Sequence, residues 1–126
     1  MIKQTSTLRK DTLVVELSGY LIQKEIASLE PEMKAIEKEF GYVNLLVSLL
    51  NVKGESLGAL MEELRLGLKH WNQIHKVAYI GDKDWLKALV KLDNVFVKFK
   101  EKYFDVPEMN EAWDWLGEED KGGNAG

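Results

Sequence analysis

The chain has no cysteine, which excludes disulfide scaffolds, thiolate chemistry and zinc–sulfur or iron–sulfur sites. Only two prolines and two histidines occur in 126 residues. So little proline, with 10% aromatic residues, argues against disorder over most of the length. No apolar run approaches the ~20 residues of a membrane-spanning helix. The opening MIKQTSTLRKD has no apolar signal core, so nothing there predicts export. Charge of one sign is also lacking, because 17 basic against 21 acidic residues leave a net −4. What is present is 45% hydrophobic and 30% charged residues. That composition suits one globular domain, burying roughly two-thirds of its unfolded surface without staples. The expectation is a small cytoplasmic protein.

Hydrophobic periodicity gives the order of elements. Lys3 to Leu8 alternates weakly, Arg9-Lys10-Asp11 is a polar break, and Thr12 to Ser18 is β-branched and apolar. Together they predict an antiparallel hairpin. Ile26, Leu29, Met33, Ile36 and Phe40 then recur at helical spacing, with Gly41 as a stop. Pro31 conflicts with that pattern unless the main helix starts near Glu30. Tyr42 to Leu50 is a nearly continuous apolar run, as in a strand buried on both faces. Residues 51–55 read as a loop and Ser56 as an N-cap. Leu57, Leu60, Met61, Leu64, Leu68 and Trp71 make the stripe of a second helix, with Glu62, Glu63, Arg65, Lys69 and His70 off it.

Lys76 to Ile80 reads as a short strand ending at Gly81-Asp82, and Asp84 as the cap of a third helix from Trp85 to Phe96. Phe99 to Phe104 reads as the last strand. After Pro107, a fourth helix shows Met109, Ala112, Trp113 and Leu116 on one face. Alternation of strands and helices predicts an α/β domain. Its sheet would be mixed and mostly parallel, with about five strands opened by the hairpin and about four covering helices. Residues 1–117 would form this domain, and the apolar-free stretch 118–126 a disordered tail.

Reactive constellations are scarce. His70 and His75 are five apart, do not share a helix face, and belong to no HExxH pattern. No G-x-S-x-G elbow accompanies any serine. Gly54 and Gly58 stand as two glycines before a helix but lack the Walker lysine and the dinucleotide spacing. No metal, cofactor or catalytic residue is therefore expected. Asp82 is the exception in position, just past the carboxyl end of a central strand where open α/β sheets bind ligands. The plainer reading of Gly81-Asp82, and the favoured one, is a turn leading to an N-cap.

Charge is unevenly spread. Residues 76–102 carry +3, with seven lysines against four acids, whereas residues 103–126 carry −6. Lys83, Lys87 and Lys91 lie four apart on one flank of the third helix. Trp85, Leu86, Leu89, Val90, Leu92, Val95, Phe96 and Val97 exceed the apolar third that a sheet-covering helix needs. The surplus could meet an apolar ligand, a second subunit or a membrane interface. The bland alternative is deep burial with snorkelling lysines. The negative net charge and the lack of recurrent basic–aromatic interleaving argue against nucleic acid.

The stretches LGALMEELRLGLKHW (57–71), KVAYIGDKDWLKALVKL (76–92) and KYFDVPEMNEAWDWL (102–116) resemble the SpoIIAA-like family, within the wider STAS and CRAL-TRIO-like group. The resemblance covers nearly the whole chain except the tail, and its motifs define a fold rather than a reaction. It implies a small α/β domain, no known catalytic activity, and a carrier or sensor of nonpolar ligands associating with membranes through mobile helices. Anti-sigma-factor antagonists of the STAS group carry a phosphorylatable serine in Asp-Ser-[Ser/Thr]-Gly. The matching place here reads Gly54-Glu55-Ser56-Leu57-Gly58, which keeps one hydroxyl but loses the aspartate and the second hydroxyl.

The expectation is thus a non-enzymatic module binding an apolar molecule or lipid between the sheet and its second and third helices. Trp71, Trp85, Leu86, Leu89 and Phe96 would line the site, and Lys83, Lys87 and Lys91 would touch anionic lipid heads, giving peripheral membrane association. Ordinary core is the alternative for all five apolar residues. A second expectation is a protein-interaction switch using Ser56 as a phosphosite. A third, an enzyme using Asp82 or a histidine, has least support. A homodimer through the third helix is equally compatible.

Overall fold

The computed structural model describes residues 2–5, 9–18, 27–52, 54–68, 71–82 and 99–118. Five strands form one sheet in sequence order: β1 (Ile2–Thr5), β2 (Thr12–Ser18), β3 (Val43–Asn51), β4 (Ile74–Gly81) and β5 (Lys100–Asp105). β1 pairs antiparallel with β2, and every later neighbour is parallel. β1 is described from Ile2 to Thr5, and the rest of the predicted alternation, Ser6 to Leu8, lies outside the described residues. The described helices are α1 (Glu30–Phe40), α2 (Gly54–Leu68) and α3 (Met109–Gly117), the last preceded by a 3₁₀ turn at Val106–Glu108. The predicted third helix, Trp85–Phe96, and the tail after Glu118 lie outside the described residues.

Local chemistry explains the boundaries. Pro31 sits in the first turn of α1, where its missing N–H costs nothing, so the conflict within the apolar stripe disappears. Gly41 ends α1 with φ 83°, a left-handed conformation that glycine adopts without a Cβ clash, and its N–H donates to Glu37 O at 2.7 Å. Val43 to Val47 are buried on both faces of the sheet, as their nearly continuous apolar run requires, and the one polar member, Asn44, is hydrogen-bonded. β3 runs to Asn51, and only Val52 and Lys53 separate it from α2. The predicted loop at 51–55 is therefore shorter. Ser56 is the third residue of α2 rather than its cap, because the helix already begins at Gly54.

Alternation along the strands divides the core into two layers. One face holds Leu13, Val15 and Leu17 of β2, Leu45, Val47 and Leu49 of β3, and Val77 and Tyr79 of β4. α1 adds Met33, and α2 adds Leu64 and Leu68. The opposite face holds Leu46, Ala78, Ile80 and Phe104, covered by Ala112 and Leu116 of α3. Among the described residues the first layer has seventeen buried hydrophobics and the second six. Each fully buried Val, Leu or Met is worth about 1.5–3 kcal/mol, so the α1/α2 face carries most of the apolar stabilisation.

Candidate functional site

On the α1/α2 face, polar side chains from three elements meet in the interior. Arg65, half-way along the C-terminal part of α2, reaches down to β5. Its Nε donates to Glu101 Oε2 at 3.2 Å and Oε1 at 3.4 Å. Glu101 is 0% exposed and the Arg65 side chain 11%. Tyr79 of β4 is fully buried and donates its hydroxyl to Glu101 Oε2. Burial and the adjacent Glu101 carboxylate push the Tyr79 phenol well above its ordinary value. The phenol therefore stays a proton donor, and the three side chains neutralise one another: one cation, one anion, one neutral hydroxyl.

Arg65, off the apolar stripe of the second helix in the sequence pattern, is nonetheless buried. Its position on α2 faces β5, and the ion pair compensates its loss of water. The sequence held a signal for the partner. In KEKYF, Glu101 and Tyr103 alternate against Lys100 and Lys102, and the structure buries Glu101 and Tyr103 while exposing both lysines.

Trp71 follows α2, its N–H donating to Leu68 O at 2.9 Å. It is half-buried against the same apolar layer that holds Leu64, Leu68, Tyr79 and Phe99. The other four expected lining residues, Trp85, Leu86, Leu89 and Phe96, and the expected lipid contacts Lys83, Lys87 and Lys91, lie outside the described residues. So does His70, whereas His75 is half-buried on β4, its ring edge-on to Tyr42 at 5.6 Å.

At the carboxyl end of the parallel strands, Asp82 is exposed immediately after β4, and Gly81 registers with Asp105 of β5. Asn51 donates its amide to Glu16 across β2 and β3. Asp105 and Glu108 form a capping box, Glu108 Oε1 accepting from Asp105 N at 2.9 Å, which starts the turn into α3. Gly54 opens α2 at this same edge, two residues before Ser56. Among the described residues no group of three or more metal-ligating side chains is gathered.

A second polar cluster lies at the opposite end of the strands and serves α3. Lys76 Nζ donates to Trp115 O at 2.6 Å and Glu118 O at 2.8 Å, and Asn44 Nδ2 donates to Leu116 O at 3.2 Å. A cation at a helix C-terminus also opposes the helix dipole. A Cβ at Gly117 would stand 2.6 Å from Arg9 Nη1, so glycine lets that guanidinium close on the helix end. Arg9 Nη2 in turn donates to Asp11 Oδ2 at 2.9 Å, as do Tyr42 Oη at 2.7 Å and, to Oδ1, Thr12 Oγ1 at 2.9 Å. Burial alone would raise the Asp11 carboxyl. The three donors and the Arg9 charge outweigh it and hold Asp11 below its ordinary value. These bonds fix the end of α3 and the β1–β2 connection.

Among the described residues no helix is long and apolar enough to cross a membrane. A search among curated proteins finds no match to the chain. Among solved structures, the fold resembles an uncharacterized protein of the DUF3478 family from Shewanella loihica PV-4, which has a SpoIIAA-like fold. The two share 24% identity over 92% of each chain with a TM-score of 0.64. The SpoIIAA-like family model matches residues 12–117, from the first residue of β2 to the last of α3, and the chain belongs to that family.

Proposed function

We propose that this protein is a non-enzymatic module that binds an apolar small molecule or lipid and associates peripherally with anionic membranes. The observation that carries the reading is Trp71. It is half-buried on the apolar layer beneath α2, within the cluster that also holds Phe99, where the chain re-enters the sheet after residues 83–98. Those intervening residues hold Trp85, Leu86, Leu89 and Phe96, more apolar area than a covering helix uses, together with Lys83, Lys87 and Lys91. The apolar side chains would line the ligand with Trp71, and the lysines would meet anionic headgroups. A lysine near an anionic surface is worth about 1 kcal/mol, so three give appreciable, salt-sensitive binding.

Co-sedimentation with phosphatidylglycerol-containing vesicles and with pure phosphatidylcholine vesicles tests the membrane half. Uptake of a fluorescent long-chain probe tests the ligand half. The reading expects anionic vesicles to retain the protein, loss of retention in Lys83→Gln/Lys87→Gln/Lys91→Gln, and weaker probe uptake in Trp71→Ala. Failure of both vesicle and probe binding in the unaltered protein would overturn it.

A second reading is a STAS-type interaction switch through Ser56. It is favoured by the position of Ser56 in the first turn of α2, at the carboxyl edge of the sheet. A phosphate there would meet the positive end of the helix dipole. Ser56→Asp should then alter which protein partner binds, and identical partner affinity for both forms would remove this reading.

A further inference from the structure

We infer that Arg65, Glu101 and Tyr79 clasp α2 to the edge strand β5, so that helix and strand open only together. α2 is then not a cover that lifts off the sheet by itself. The inference stands on the geometry of these three residues, whether or not the ligand reading above holds.

The topology shows what has to be joined. α2 connects β3 to β4, two neighbours in the sheet, whereas β5 lies beyond β4 at the edge. Among the described residues β5 has β4 as its one hydrogen-bonded neighbour. A strand held from one side is a natural place for local opening. Arg65 bridges the gap. Its Nε reaches from the C-terminal half of α2 to both carboxylate oxygens of Glu101, at 3.2 and 3.4 Å. Glu101 stands opposite Val77 of β4. Tyr79, two residues along β4 and in the same apolar layer as Val77, donates its hydroxyl to Glu101 Oε2. One carboxylate on the edge strand thus takes donors from a helix and from the neighbouring strand.

Burial makes this contact a clasp. The Glu101 side chain is 0% exposed and that of Arg65 11%. An exposed pair parts at little cost, because water takes over both charges. Here, lifting one element alone leaves the other charge unmatched against an apolar layer, whereas moving both together keeps the pair. Leu64 and Leu68 also hold α2 down, but apolar contacts are non-directional and favour no particular strand.

Amide hydrogen exchange of the full chain tests the coupling. In the unaltered protein the slowest amides of residues 64–68 and of β5 should have protection factors equal within about threefold, as a single opening unit requires. Arg65→Met/Glu101→Gln removes both charges and leaves neither stranded, so the variant should fold without the clasp. Its β5 should then exchange about tenfold faster than its α2, as an edge strand opening by itself. Circular dichroism establishes that the variant is folded, and the comparison in the unaltered protein stands as a test without it. A difference of about tenfold or more between the two elements in the unaltered protein would overturn the coupling. A folded double variant whose α2 and β5 still exchange alike would assign their union to apolar packing and remove the clasp.

Discussion

The two faces of the sheet are secured by different means. Among the described residues the α1/α2 face relies on apolar mass, with seventeen buried hydrophobics and one embedded ion pair. The α3 face has six, and its helix is held at the end by Lys76 and Asn44, which bind its last carbonyls. Phe104 and Trp115 add a tilted ring contact at 5.9 Å, and Lys76 stands 5.3 Å above the Trp115 ring. A nine-residue helix is too short to be stable alone. Capping by the sheet therefore substitutes for the apolar area that α3 lacks. The thick face can place charge in its interior only because that charge is matched.

Substitutions can break this comparison in order of size. The largest effect is expected from Arg65→Met, which strands the buried Glu101 carboxylate. Breaking such a pair costs about 3–5 kcal/mol, read as a lower urea midpoint. Arg65→Met/Glu101→Gln should recover much of that loss, because no uncompensated charge remains. On the other face, Leu116→Ala removes the best-buried side chain of the last turn of α3 and should cost about 2–3 kcal/mol, leaving some of the helix attached through its caps. Lys76→Met keeps the stem but removes the cation from two carbonyls. About 1–2 kcal/mol should be lost, concentrated in faster amide exchange of α3.

The smallest effect depends on pH. Asp11 is held below its ordinary value of 3.8, so its contribution is present above that pH and is lost as pH falls through the lower folded value. The acid limb of the stability curve should therefore flatten in Asp11→Asn. Tyr79 has the opposite sign. Its raised value means that stability should decline as pH rises past 10, where the unfolded chain releases that proton first, and Tyr79→Phe should reduce this alkaline slope, leaving the share of Tyr42, which its bond to Asp11 also raises.

Much of the architecture was legible in the sequence because burial and periodicity coincide. Leu13, Val15 and Leu17 alternate as a half-covered strand must, and Met109, Ala112, Trp113 and Leu116 recur as the inner face of a short helix. The polar interior was less legible. Arg65 lies beside the apolar stripe, and a charged residue there reads as solvated until its partner on another element is known. Asp11 falls in a break of the hairpin, and nothing local announces that Tyr42, thirty-one residues away, donates to it. Trp115 adjoins the predicted face of the last helix without belonging to its spacing, and its role depends on Lys76 and Phe104 of neighbouring strands. Such residues are chosen by long-range pairing, which a single sequence does not display.

Native mass spectrometry of the gently purified protein, followed by extraction and identification of any released molecule, tests the central claim most directly. The account predicts a fraction of the protein carrying an added mass that extracts into organic solvent and proves to be an apolar small molecule or lipid, and loss of that mass in Trp71→Ala. The contrary result is a mass of the bare chain alone that stays unchanged after incubation with the fluorescent long-chain probe.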